Sequence, residues 1–236
     1  MQIGAMEAKK LAYADLSRYV ADPEHMRVPV ETLLSDAYLA RRRALIDPYQ
    51  AMETPDPDPV LEGSETIYLA VADAQGNMIS FINSVFNYFG SAVVVPGTGF
   101  HLQNRGQGFT MDEGHPNQVA PGKAPFHTII PAFVTRTDEV TGRDEPWMAF
   151  GVMGGAMQPQ GHVQVLLNML LFEMDPQEAI EAVRFRHYSG MRLGVEAGLP
   201  ASVRAALEAR GHAVETVAPL AVGGGQAVVR LERGWV

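Results

Sequence analysis

Gly63-Ser64-Glu65-Thr66-Ile67-Tyr68-Leu69-Ala70-Val71-Ala72-Asp73 is the stretch around which the rest of the chain can be read. Ile67, Leu69 and Val71 alternate with Tyr68, Ala70 and Ala72, the period-2 pattern of a strand. Ala74-Gln75-Gly76-Asn77 supplies a tight turn and Met78 to Asn83 a second strand, so a hairpin is predicted. On the N-terminal side runs Glu53-Thr54-Pro55-Asp56-Pro57-Asp58-Pro59, whose repeated X-Pro steps forbid a helix or a central strand. Thr66 therefore sits where an acidic, irregular linker meets a strand. A β-branched residue opening a strand is ordinary. It is also where a threonine nucleophile would stand if cleavage of its own preceding bond were to free it.

Before the linker, residues 1–20 have helical periodicity, with Met6, Lys10, Tyr13 and Ser17 on one face, and Asp22-Pro23 ends the run. Pro29-Val30-Glu31 opens another helical stretch, which Asp47-Pro48 closes. Its Arg41-Arg42-Arg43 run reads as a solvated face or as a partner for the acidic linker. After the hairpin, Gln103-Asn104-Arg105-Gly106-Gln107-Gly108 is polar and aperiodic, either an exposed loop or one that touches substrate. Residues 131–137 and 146–153 alternate across a turn at 138–145 and predict a second hairpin. Gly154-Gly155 then leads into a helix. Its Val163, Leu166, Leu167, Leu170 and Leu171 form an apolar stripe suited to packing on a sheet. Asp175-Pro176-Gln177-Glu178 is a capped helix start, and Pro200 to Arg210 repeats the scheme before Gly211. Val214 to Val217 and Gln226 to Leu231 are candidate strands around Gly223-Gly224-Gly225. Strands and helices come in blocks, which predicts a mixed α+β layer structure.

With 236 residues and 47% apolar composition, the chain can bury a core and suits one domain or a large piece of one. A formal net charge of −9 argues against nucleic acid or an anionic membrane surface as partner, since both favour clustered Lys and Arg. The absence of cysteine removes disulfides, thiolate catalysis and Cys-ligated zinc. Neither a signal peptide nor an apolar run of membrane-spanning length is present, which favours the cytoplasm.

The segment from Thr66 to Phe109 resembles the C-terminal part of the γ-glutamyltransferase family, in its transferase-like and cephalosporin-acylase-like branch. Pro125-Phe126-His127-Thr128-Ile129-Ile130-Pro131 and Gly151-Val152-Met153-Gly154-Gly155 continue the resemblance in the same order. It implies an N-terminal-nucleophile hydrolase fold, a four-layer αββα sandwich of which this chain supplies roughly the C-terminal half. Residues 1–52 would be the helical end of the larger subunit. Residues 53–65 would be a linker ending at an autocleavage bond between Glu65 and Thr66, and 66–236 the small-subunit-like catalytic region. The resemblance places Met1 inside a longer precursor, so a targeting segment could precede it. It also expects a closing strand and motif beyond Trp235-Val236. A larger-subunit portion is the expected partner, a homo-oligomer is left open, and no cofactor or metal is implied.

The same resemblance assigns the chemistry. Once freed, Thr66 would carry an α-amine of pKa about 7.7–8.0, able to take the proton of its own hydroxyl. One residue then supplies nucleophile and base, and the histidines need no catalytic role. Ser84 matches the hydroxyl residue that hydrogen-bonds and tunes the nucleophile in the family, although locally it is an ordinary strand serine. Gly154 and Gly155 match an oxyanion-hole pair; read locally, two glycines before a helix allow backbone N–H groups to face an anion. His127 and Thr128 fall where the family carries two serines that contact the substrate's carboxylate end. Thr128 keeps the hydroxyl, whereas His127 departs and equally fits a core histidine bonded to backbone. An acidic residue that grips the substrate's α-amine is replaced by Gly108, with Arg105 nearby. That exchange favours an acyl group ending in carboxylate over one bearing an ammonium. The loop from Met111 to Lys123 is short for the family's lid, so hydrolysis is expected to compete well with transfer to amine acceptors.

Two other readings stand beside this amidohydrolase. One is a non-catalytic structural or binding subunit, because half of the sandwich is missing from the chain. The other is a metal hydrolase using Asp112, His115 and His127, whose spacing matches no recognisable ligand set.

Overall fold

A computed structural model describes residues 3–53 and 65–236, so residues 54–64 of the proline-rich linker lie outside the described residues. In chain order the elements are α1 (Ile3–Tyr19), α2 (Val30–Leu33), α3 (Asp36–Arg43), β1 (Glu65–Ala72), β2 (Met78–Phe86), β3 (Ala132–Thr137) and β4 (Asp144–Val152). They continue with α4 (Met157–Leu171), α5 (Pro176–Glu181), β5 (Phe185–His187), β6 (Arg192–Glu196), α6 (Ala201–Glu208), β7 (Ala213–Val217) and β8 (Gly225–Val229). They group into two compact units, one of residues 65–103, 128–184 and 219–236, the other of 3–53, 104–127 and 185–218.

The first unit is built on the predicted hairpin. β1 and β2 pair antiparallel, and Asp73 closes their turn by accepting from the N–H groups of Gln75 and Asn77, both at 2.9 Å. A second sheet runs β3-β4-β8, antiparallel throughout. β1 and β2 pack against β4, and β1 also against β8. Contact is close because Gly151 on β4 has no side chain: a Cβ there would lie 2.5 Å from Tyr68 Cδ2. The other face of the hairpin exposes Ile67, Leu69, Val71, Ile79 and Phe81. The core joins Met148, Phe150 and Val152 of β4 to Val165 of α4, Ala179 of α5 and Val229 of β8. α5 starts on the expected cap, with Asp175 and Glu178 forming a reciprocal capping box.

α4 packs on β4 as expected, but only part of the expected stripe takes part, through Leu166, which lies against the core. Val163, Leu170 and Leu171 are exposed, and the buried face carries Gln158, Gln160, Gly161, His162, Gln164, Val165 and Asn168. Two features make this polar face workable. Gly161 lets the helix approach until a Cβ would stand 2.5 Å from Val152 Cγ1. Gln160 and Gln164 donate their amides to carbonyls one turn back, Ala156 O at 3.1 Å and Gln160 O at 3.0 Å, so burial leaves those donors satisfied.

In the second unit β5 pairs antiparallel with β6, and β6 pairs parallel with β7 across the α6 crossover. β5 and β6 went unpredicted because they are short, and β6 is buried on both faces and shows no alternation. Met6, Phe185, Leu193, Val195 and Leu207 form its core. The helical stretch from Pro29 divides into α2 and α3, with Ser35 capping α3 through Tyr38 N–H at 3.3 Å. Arg42 pairs with Asp15 at 2.9 Å, so this member of the basic run ties α3 to α1. α1 buries an ionic pair: Lys10 Nζ lies 3.0 Å from Glu7 Oε1 and donates to Met52 O at 2.7 Å, while Met52 N–H donates to Glu7 Oε2 at 2.8 Å. The chain ahead of the linker is thereby pinned to α1.

Candidate active site

Thr66 is the second residue of β1, joined to Glu65 within the strand, and is only 8% exposed. Its neighbourhood is shaped by an irregularity of register. Glu65 pairs with Phe86 and Ile67 with Asn83, so Thr66 alone faces two residues of β2, Ser84 and Val85. Such a bulge bends a strand and re-aims a side chain. Here Thr66 Oγ1 donates to Ser84 Oγ at 3.4 Å, and Ser84 Oγ also accepts from Phe86 N–H at 3.0 Å. Phe86 is buried and sits at φ 78°, a region costly for a residue with a Cβ, so the turn that holds Ser84 stores backbone strain. The pairing of Thr66 with Ser84 has a geometric cause that the bare alternation of hydrophobics does not carry.

Gly154 and Gly155 join β4 to α4. Their φ angles, 125° and 58°, are both in the range that favours glycine. Their carbonyls accept from Met157 N–H and Gln158 N–H, each at 3.0 Å, which starts the helix. Among the described residues their own N–H groups make no backbone hydrogen bond. Two successive amides ahead of a helix N-terminus suit a developing anion. A second glycine turn supports this one. A Cβ on Gly223 would collide with the Met153 carbonyl, and Met153 N–H donates to Gly224 O at 3.0 Å. The sequence marked Gly223 only as punctuation between strands.

Thr128 is buried, in a segment without regular structure that precedes β3. Two residues on, Ile130 N–H donates to Oε1 of the fully buried Gln158 at 3.1 Å. Arg105 and His127 belong to the second unit. Arg105 opens a 3-10 turn from Arg105 to Gly108 and is 3% exposed, so the polar run around it is not simply an exposed loop. Burial lowers the Arg105 pKa from its ordinary value. Partial burial and the Arg105 charge lower that of His127, favouring the neutral ring. A Cβ on Gly108 would meet nothing nearer than Phe126 O at 3.7 Å, so glycine is not sterically required there. His115 Nδ1 accepts from Asn117 N–H at 3.0 Å and its Nε2 lies 2.9 Å from Ser17 O, which occupies both ring nitrogens. Among the described residues no three His, Cys, Asp or Glu side chains are grouped to hold a metal ion.

The model of the family described as Gamma-glutamyltranspeptidase matches residues 4–236. The chain belongs to the gamma-glutamyltranspeptidase family. A glutathione hydrolase-like YwrD proenzyme of Bacillus subtilis (strain 168) is 37% identical over 219 residues, 90% of this chain and 39% of that one. An oxamate amidohydrolase proenzyme of Klebsiella pneumoniae is 35% identical over 241 residues, 97% of this chain and 43% of its own length. The crystal structure of cephalosporin acylase from Bacillus halodurans matches with a TM-score of 0.85 and 45% identity, over 96% of this chain and 40% of that one. This gamma-glutamyltranspeptidase-family chain thus spans about two fifths of the length of these relatives. Its mixed helix and sheet content agrees with theirs.

Proposed function

We propose that this family member is an N-terminal-threonine amidohydrolase or acyltransferase acting on γ-glutamyl or glutaryl-type amides, after autoproteolysis ahead of Thr66. The observation that carries the reading is the buried Thr66 hydroxyl, 3.4 Å from Ser84 Oγ at the bulged start of β1. In the uncut chain the Thr66 nitrogen is an amide and cannot serve as a base. Processing begins when Thr66 Oγ1 adds to the Glu65 carbonyl carbon and the C–N bond breaks, leaving an ester and a free α-amine. Water then hydrolyses the ester to release the Glu65 carboxylate. In turnover the amine takes the hydroxyl proton, Oγ1 attacks the substrate amide carbon, and the Gly154 and Gly155 N–H groups stabilise the oxyanion. The leaving amine departs with the proton held on the α-amine. Water or an acceptor amine resolves the acyl ester. Ser84 would steady the attacking oxygen throughout.

Arg105, His127 and Thr128 are the proposed substrate contacts. A buried guanidinium beside a neutral imidazole suits an acyl group ending in carboxylate, which is why glutaryl-type amides stand with γ-glutamyl ones. The names of the relatives, among them a glutathione hydrolase-like protein, an oxamate amidohydrolase and a cephalosporin acylase, are compatible with an amide whose acyl side is small and polar. We also propose the domain plan of residues 1–52 as the end of the larger subunit, 53–65 as the processed linker and 66–236 as the catalytic region. The four-layer αββα sandwich follows from it. The apolar outer face of β1 and β2, with Ile67, Leu69, Val71, Ile79 and Phe81 exposed, is a face that such layering would cover with a larger-subunit portion.

Intact mass before and after incubation tests this. The expected result is a break that yields a fragment beginning at Thr66, absent in Thr66→Ala, together with hydrolysis of a γ-glutamyl or glutaryl anilide that the same substitution abolishes. Full turnover by a chain still joined at Glu65–Thr66 would overturn the mechanism. A chain that neither breaks nor turns over when supplied with its larger-subunit portion would favour the structural-subunit reading.

A further inference from the structure

Gln158 is wholly buried in the first turn of α4, a helix position where glutamine is usually solvated. Two of its groups are committed to different parts of the same unit. Its backbone N–H donates to Gly155 O at 3.0 Å, and its side-chain Oε1 accepts from Ile130 N–H at 3.1 Å. Its Nε2 finds no partner among the described residues. For stability alone this is a poor choice, because a buried amide donor left unmet is worse than an apolar side chain of the same length. A methionine would fill the space without that penalty, but would give up the bond to Ile130 N–H. What glutamine adds is a fixed tether between the Gly154–Gly155 turn and the irregular segment that carries Thr128.

We propose that Gln158 is a positioning residue for substrate recognition: it clasps Ile130 against the head of α4 and so fixes where the Thr128 hydroxyl stands relative to the paired glycines. Thr128, Ile130, Gly155 and Gln158 all lie in one unit, within 31 positions of sequence from residue 128 to 158. The segment from 124 to 131 has no helix or strand to hold it until β3 begins. Ahead of Thr128, Ala124 N–H donates to Asp22 Oδ2 at 2.8 Å and Phe126 N–H to Asn117 Oδ1 at 3.3 Å; after it, the Ile130 bond to Gln158 ties the segment to the head of α4. The inference rests on the reading of Thr128 as a substrate contact, and it adds to that reading a residue that does not itself touch substrate.

The test compares Gln158→Met, which keeps the length and loses the acceptor, with Gln158→Glu, which keeps an acceptor for Ile130. Three quantities are read on the full protein: hydrogen–deuterium exchange at the Ile130 amide, KM and kcat on a glutaryl or γ-glutamyl anilide, and Tm. In Gln158→Met, Ile130 should exchange faster by about tenfold and KM rise by about tenfold, the scale of one lost hydrogen bond, with kcat little changed and Tm lowered by no more than that one bond accounts for. Gln158→Glu should restore both the Ile130 protection and most of the KM. Unaltered exchange at Ile130 in Gln158→Met overturns the inference alone. So does a fall of kcat and Tm together in both variants, which is the mark of a residue that merely packs. A wild-type protein with a protected Ile130 but no turnover on any such amide overturns the catalytic reading instead, and the substrate half of this inference with it.

Discussion

Gly108 is glycine without steric need: its backbone is not in the left-handed region, and a Cβ would have 3.7 Å to its nearest neighbour. Chemistry rather than packing is therefore what an acidic side chain at that position would change. Gly108→Asp should be tolerated by the fold and should shift preference toward acyl groups bearing an α-ammonium. A charge-assisted contact of about 1.5–3 kcal/mol corresponds to a change of roughly 10–160-fold in the ratio of kcat/KM values. Competing γ-glutamyl and glutaryl anilides in one assay reads that ratio directly. An unchanged ratio would remove Gly108 from the specificity argument. Ser84 is a different case at the same scale. Its side chain is ordinary in sequence, and only the one-against-two register opposite Thr66 and the positive φ of Phe86 make it a partner of the nucleophile candidate.

Among elements, the contact that sets the hairpin against β4 is the Tyr68 ring over Gly151. Tyr68 shares a face of β1 with Thr66, and Gly151 precedes Gly154 by three residues on the strand that ends at the paired glycines. Filling the space pushes the two apart. Gly151→Ala places a Cβ 2.5 Å from Tyr68 Cδ2 and should cost about 1–3 kcal/mol in unfolding free energy, the range for an overpacked core. Combining it with Tyr68→Leu should recover part of that loss, and a urea-melt double-mutant cycle measures the coupling. Strict additivity would mean that the two residues do not meet. The sequence made the hairpin, the Gly154–Gly155 turn and the α5 capping box readable because each depends on neighbours in the chain. The bulge, the Tyr68–Gly151 stack and the Gly223 wall depend on pairing between distant segments, which local periodicity does not encode. The packing face of α4 is legible only in part, for a related reason. Leu166 of its hydrophobic stripe does pack on the core, but Gly161 and the back-bonded glutamines bring a polar face into the contact beside it.

At the scale of the whole molecule, both units bury groups that resist protonation, and this makes the fold sensitive to acid. His162 of α4 is 7% exposed, lies against the Phe150 ring at 5.0 Å between centroids, and has Nε2 without a partner among the described residues. Burial lowers its pKa from 6.5 to about 4. In the second unit, burial and the neighbouring Lys9 hold His187 at about 3, with Lys9 Nζ 2.8 Å from Nδ1 and Nε2 donating to Gly190 O at 2.9 Å. For a group whose folded pKa is depressed, the unfolded chain takes up the proton first. Stability is then complete above pH 6.5 and is lost as pH falls toward the folded value. At about 1.4 kcal/mol for each tenfold change in proton affinity, His162 alone removes roughly 2–3 kcal/mol by pH 4.5. His162→Phe keeps a ring against Phe150 and has nothing to protonate. Between pH 7.5 and 4.5 the unfolding free energy from urea melts should therefore fall less in this variant than in the wild type, by that same margin. Because His187 remains in both proteins, the comparison isolates His162, and equal drops would show that its imidazole reaches water in the folded chain.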